Sequence, residues 1–157
     1  MNTEYCLNSI KIILDANIDT MINTIESESG ATIFVDNIAE SKVGSFLPTE
    51  FTAYPAIAVY AQNSNATDDQ YEYQERQLNF AVAAWVVQVD NEQLHRFICR
   101  IGDAIVRILR NETNWNAYPL HSTRINEAVY SEVFNIPHGL AQGCQVSGSV
   151  NYILSNY

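Results

Sequence analysis

The stretch Phe80–Arg110, FAVAAWVVQVDNEQLHRFICRIGDAIVRILR, decides the fold because its hydrophobic period changes in the middle. Up to Val89 the side chains alternate. Leu78, Phe80, Val82 and Val86 fall on one face of a strand, and Ala81, Ala83, Trp85, Val87 and Val89 on the other. A strand apolar on both faces is either central and covered twice or meets another subunit. From Asn91 the apolar spacing becomes three and four. Leu94, Phe97, Ile98, Ile101, Ala104, Ile105, Ile108 and Leu109 then share the main face of a helix running to Arg110. Asp90 stands before it with Gln93 three residues on, a start resembling a capping box. Around the rest of the wheel, Arg96, Arg100, Asp103, Arg107 and Arg110 cluster in one sector. His95, Cys99, Gly102 and Val106 form another, small enough to predict close approach by a second helix, most simply the first one in the chain.

Upstream, Leu7, Ile10, Leu14, Ile18, Met21 and Ile25 make a helical stripe over Thr3–Ser27, with Glu4, Lys11, Asp15 and Glu26 off it and Gly30 as terminator. Ala31–Ala39 reads as a strand, Glu40–Tyr54 as a loop, and Pro55 opens a short strand, PAIAVYA. Gln62–Gln70 is polar and reads as a hairpin loop before the strand Tyr71–Val89. Downstream, Asn111–Pro119 is a loop holding Trp115. Two strands follow, Thr123–Ile136 and Cys144–Leu154, around a turn at Pro137–Gly143. In the last strand Val146, Gly148, Val150, Tyr152 and Leu154 alternate with Gln145, Ser147, Ser149 and Asn151, giving one dry and one wet face. The expectation is a single α+β domain over 1–157. It has a mixed, mostly antiparallel sheet packed against two helices, in the order α-β-β-β-α-β-β.

Composition bounds the function classes. In 157 residues, 18 acidic and eight basic side chains leave a net charge of −10, which repels phosphate backbones and anionic membrane surfaces alike. No sequence-specific nucleic acid and no membrane is expected as a partner. Cys6, Cys99 and Cys144 are odd in number and widely spaced, so neither a disulfide framework nor a zinc site is expected, and a reducing compartment fits. The amino-terminal residues carry no basic region ahead of an apolar stretch, unlike a signal peptide. The longest apolar run, Phe80–Val87, is too short to span a bilayer.

No constellation for catalysis emerges. His95, His121 and His138 sit in different elements without ligand spacing. Cys99 and His95 are four apart on one helix, where a nucleophile–base pair is possible and packing the better reading. Asp68, Asp69, Glu72 and Glu75 lack the periodicity of a calcium loop and read as a solvated segment. No phosphate-binding glycine loop or nucleophile elbow occurs. Catalytic, cofactor and metal residues are therefore all expected to be absent. The one basic cluster, Arg96, Arg100 and Arg107 with Arg110, reads equally as a helix face pairing with acidic neighbours or as an intersubunit contact. Trp85, on the second apolar face of its strand, joins it as a candidate contact.

The long apolar strand ending in Asp90, the helix NEQLHRFICRIGDAIVRILRNE, the two strands after it, the leading helix and the Pro-initiated YPAIAVYA together resemble the tail terminator proteins of long-tailed bacteriophages. Related neck and tail-completion subunits share this pattern, as do subunits of phage-derived contractile particles such as tail-like bacteriocins. The resemblance implies a non-enzymatic subunit without cofactor, made in the host bacterial cytoplasm and resident in the tail or neck of the virion or particle. Such subunits close as a hexameric ring on the tail tube, stop its growth and dock the head-side connector, with the tube protein, the sheath and other copies of the chain as partners. A connector or stopper one ring away is the alternative.

Overall fold

The computed structural model describes residues 2–67 and 73–155. The first helix, α1 (Thr3–Ser29), begins where the Asn2 side chain accepts from the Tyr5 N–H at 2.9 Å. It ends at Gly30, whose φ of 65° turns the chain so that the Ala31 N–H reaches back to the Glu26 carbonyl at 3.0 Å. Its buried face is broader than the stripe of six. Cys6, Ile13 and Ile22 join it, while Met21 is only partly buried. Glu26, expected off the stripe, is 1% exposed. Four residues on from Ile22, it sits on the packed side of the helix.

That carboxylate explains why Ala31–Ala39 is not the strand its residues suggest. The Val35 N–H donates to Glu26 Oε2 and the Ile38 N–H to Asp19 Oδ1, both at 3.0 Å, so the helix takes donors that a sheet ladder would need. The segment instead runs along α1. Sheet pairing starts later, inside the expected loop, at β1 (Glu40–Val43), which lies parallel to β2 (Ala56–Thr67). A short 3₁₀ turn, Pro48–Glu50, and the cis Tyr54–Pro55 bond bring the chain from β1 into β2.

β2 continues through Thr67, past a bulge at Ala61–Asn63, so most of the expected Gln62–Gln70 loop is strand. Residues 68–72, and with them Asp68, Asp69 and Glu72, lie outside the described residues. β3 (Tyr73–Gln88) pairs antiparallel with β2 on one side and with the last strand, β7 (Gly139–Ser155), on the other. Between them stands α2 (Asn91–Arg110), capped by Asp90, whose side chain accepts from the Glu92 and Gln93 N–H groups. A 3₁₀ turn, Glu112–Trp115, follows, with Trp115 buried and its indole N–H on the Leu109 carbonyl at 3.0 Å.

The strand expected over Thr123–Ile136 is three short ones, β4 (Leu120–Ile125), β5 (Val129–Tyr130) and β6 (Phe134–Ile136), all paired with β7. The breaks have local causes. A register shift falls between Ser122 and Arg124. Ser131 is fixed by exchange with Gly143, donating its N–H to the Gly143 carbonyl and accepting the Gly143 N–H on its hydroxyl, both at 2.9 Å. Gly139, at φ 138°, starts β7 straight after Pro137–His138, five residues before the expected start.

The sheet order is β1-β2-β3-β7-β4. Ile57, Val59, Leu78, Phe80, Val82, Ala84, Val86, Val146, Val150 and Tyr152 face the helices and are buried with them. On the other face the chain between β1 and β2 folds back, so that Phe51, Ala56 and Ala58 are buried beside Phe46, Tyr54 and Trp85. The α+β class and the two-helix layer follow the sequence reading.

Candidate interaction surfaces

The structure puts the candidate contact residues in two places. Arg96, Arg100 and Arg107 lie on α2, on the helix side of the sheet, and Trp85 lies on the opposite face. Each arginine finds its partner within the chain. Arg100 Nη1 donates to Glu26 Oε2 at 2.9 Å and to the Ile33 carbonyl at 2.7 Å. The pair is shielded, with side-chain exposures of 14% and 1%, and Glu26 Oε1 has no hydrogen-bond partner. Arg107 meets Glu28 at 2.8 Å, Arg110 meets Glu127 at 2.7 Å, and Arg96 meets Glu92 one turn back. Two of these bonds tie α2 to the last turn of α1, so the first helix ends beside the arginine sector.

The small-residue sector therefore does not receive α1. A β-carbon added at Gly102 would stand 2.9 Å from the Tyr130 hydroxyl and 3.0 Å from the Ala128 β-carbon, so this sector packs under the segment that carries β5. There Cys99 Sγ lies 3.7 Å from His95 Nε2, and His95 Nδ1 lies 3.4 Å from Gln142 Oε1. The arrangement resembles a thiol, a base and an orienting amide. Its electrostatics point the other way. Burial, with Asp103 adding to it, pushes the Cys99 thiol up against an opposing hydrogen bond with Tyr130. Burial also pushes Cys144 to about 12 and Cys6 to about 11. A nucleophilic cysteine needs a depressed value. Among the described residues, no group of three or more His, Cys, Asp or Glu side chains could hold a metal ion. Among the described residues no helix is long and apolar enough to cross a membrane.

The outer face carries features that the sequence reading missed. Trp85 lies against Gly143, where a β-carbon would meet its ring at 2.6 Å, and against Phe134 at 6.1 Å between ring centres. An open trough of about 270 Å³ runs beside it, lined by Phe46, Tyr60, Ala83, Val129 and Tyr130 among others. Val129 is 70% exposed, Val89 87% and Phe134 43%. The Trp85 indole N–H is buried without a partner. On the covered part, Lys42 stands over Phe46 and Phe51 at 4.8 and 5.3 Å and pairs with Glu40. Glu40 in turn accepts the Thr52 and Ala53 N–H groups. Lys42 first, and the Thr52 amide next, hold this carboxyl down to about 2. Alternation on β3 announced a second apolar face; the cover over Ala56 and Ala58 had no such signal. No protein-family model matches the chain, and no curated protein matches it.

Proposed function

We propose that the protein is a structural subunit that caps the tail tube of a long-tailed phage as a ring, ending tube growth and offering the docking surface for the neck. The observation that carries this reading is the outer face of the sheet. It is apolar through Ala83, Trp85 and Val87, yet the chain covers only part of it, leaving Val129, Phe134 and Val89 open to a neighbour. The raised thiols argue against nucleophilic catalysis at Cys99. The acidic balance suits a wall that DNA passes without adhering.

Removing the gene from its particle tests the role. Tubes of uncontrolled length are expected for a terminator. Tubes of normal length that fail to join heads would make the protein a connector or stopper instead. Long filaments from the purified chain alone would overturn both in favour of a tube subunit.

A further inference from the structure

The sheet has two open edges, and they lie at the same level. β1 flanks β2 only from Ala56 to Val59, and among the described residues no strand lies beside β2 from Ala61 to Thr67. At the other end of the order, β4 pairs with β7 on one side, and among the described residues no strand lies on its far side. The register connects them. Leu120 stands opposite Tyr152, Tyr152 opposite Arg76, and Arg76 opposite Ala66. Ile125 likewise leads through Gly148 and Phe80 to Ala61. The open stretch of β2 and the whole of β4 therefore bound one four-stranded section from opposite sides.

We propose that copies of this chain join head to tail through these edges, the β4 of one copy adding to the β2 of the next as a continuous sheet. This rests on the ring reading above and names the contact that closes the ring. Strand sense allows it. β3 is antiparallel to β2, β7 to β3 and β4 to β7, so β4 runs opposite to β2 and a neighbour's β4 makes another antiparallel ladder. The faces allow it too, since sheet extension keeps every copy's helices on the same side. Level edges mean that each addition rotates the next copy without sliding it along the strands. A head-to-tail contact with no slide closes into a ring where its rotation divides a full turn, whereas one with a slide winds into a filament. The stretch of β2 beyond β1, AQNSNAT, lacks the Lys, Pro or inward charge that soluble proteins use to blunt a free edge.

Proline scanning with native mass spectrometry tests the contact. Neighbouring residues of a strand turn their N–H groups to opposite edges. Of Ser64→Pro and Asn65→Pro, one removes a donor from the open edge and the other from the β2–β3 ladder; His121→Pro and Ser122→Pro divide in the same way on β4. The member of each pair with the unchanged melting temperature is the edge variant. Each edge variant alone is expected to stay monomeric. An equal mixture of the two is expected to give dimers and nothing larger, because one intact β4 then meets one intact β2. Ser64 and Ser122 share a level through Leu78 and Val150, so Ser64→Cys with Ser122→Cys is expected to cross-link copies into a ladder on oxidation. Rings that survive both edge prolines, or no ladder from the cysteine pair, would overturn the edge contact and leave the ring standing. A wild-type chain that stays monomeric even at its highest soluble concentration would overturn the ring itself.

Discussion

The two faces of the central sheet come from the same strands and have opposite fates. On the helix side, Phe80, Val82 and Val86 are buried in one core with residues of α1 and α2 and are dry. On the other side, Trp85 meets a strap of loop and, like Ala83, stays half-buried. Apolar alternation is alike on both, so alternation tells that a face needs covering and not what covers it. The helix face is closed by the chain, and a change there should register as stability. The outer face is closed in part, and a change there should register more as association.

The sharpest way to break this contrast is to hollow the closed face. Ile101 and Ile105 are fully buried beneath α2. Truncating either to Ala should cost about 2–5 kcal/mol in chemical denaturation, from lost transfer energy plus the cavity left behind. A loss below about 0.5 kcal/mol, the scale of an ordinary surface change, would mean that the face is not the dry core described.

Next come the arginines, which the wheel groups together and the fold separates. Arg100→Ala strands Glu26, which is already missing one partner, in a site shut off from water. That change should cost about 2–4 kcal/mol, near the lower end of buried-pair losses because Arg100 keeps some solvent contact. Arg107→Ala breaks a pair whose two side chains are 46% and 53% exposed, so about 0–1 kcal/mol is expected. Equal melting temperatures for the two variants would remove the distinction.

Gly102 sharpens the picture by the sign of its effect. Gly to Ala inside a helix normally gains about 1 kcal/mol. Here the new methyl would press on Tyr130 and Ala128, and overpacking of that kind costs about 1–3 kcal/mol. A net loss in Gly102→Ala is expected, and a gain would show that the sector is open.

These cases show what was legible in the sequence. α2 was read to the residue because its period, its Asp90 cap and its apolar face agree. β1 was not, since Glu-Ser-Lys-Val has no alternation and its place is set by parallel pairing to a strand that comes later. Ala31–Ala39 looked like a strand because side-chain pattern says nothing of where backbone donors go, and Asp19 and Glu26 take two of them. The arginine sector was visible on the wheel, but the partners of Arg100 and Arg107 lie about seventy residues or more upstream, at Glu26 and Glu28. The edge at β2 was hidden inside a polar run that reads as a loop, because polarity marks solvent exposure in strands and turns alike.

The smallest effect tests the strap that half-covers the outer face. Glu40 pins that strap through the Thr52 and Ala53 amides, and its carboxyl is held at about 2 against an ordinary 4.5 by Lys42 and then by those donors. A carboxylate depressed by folding contributes its stability in full above the ordinary value and loses it as the pH falls through the folded one. Glu40→Gln removes the charge, so its melting temperature should sit below that of wild type by a constant margin from pH 7 down to about 5. The gap should then narrow between about 4.5 and 2 and vanish below that, because wild type itself is then protonated. Amide exchange at Thr52 and Ala53 should quicken in the variant at neutral pH while exchange within α2 does not. A gap that persists unchanged through pH 2, or unaltered exchange at Thr52, would mean that the aromatic contacts of Phe46 and Phe51 hold the strap without the carboxylate.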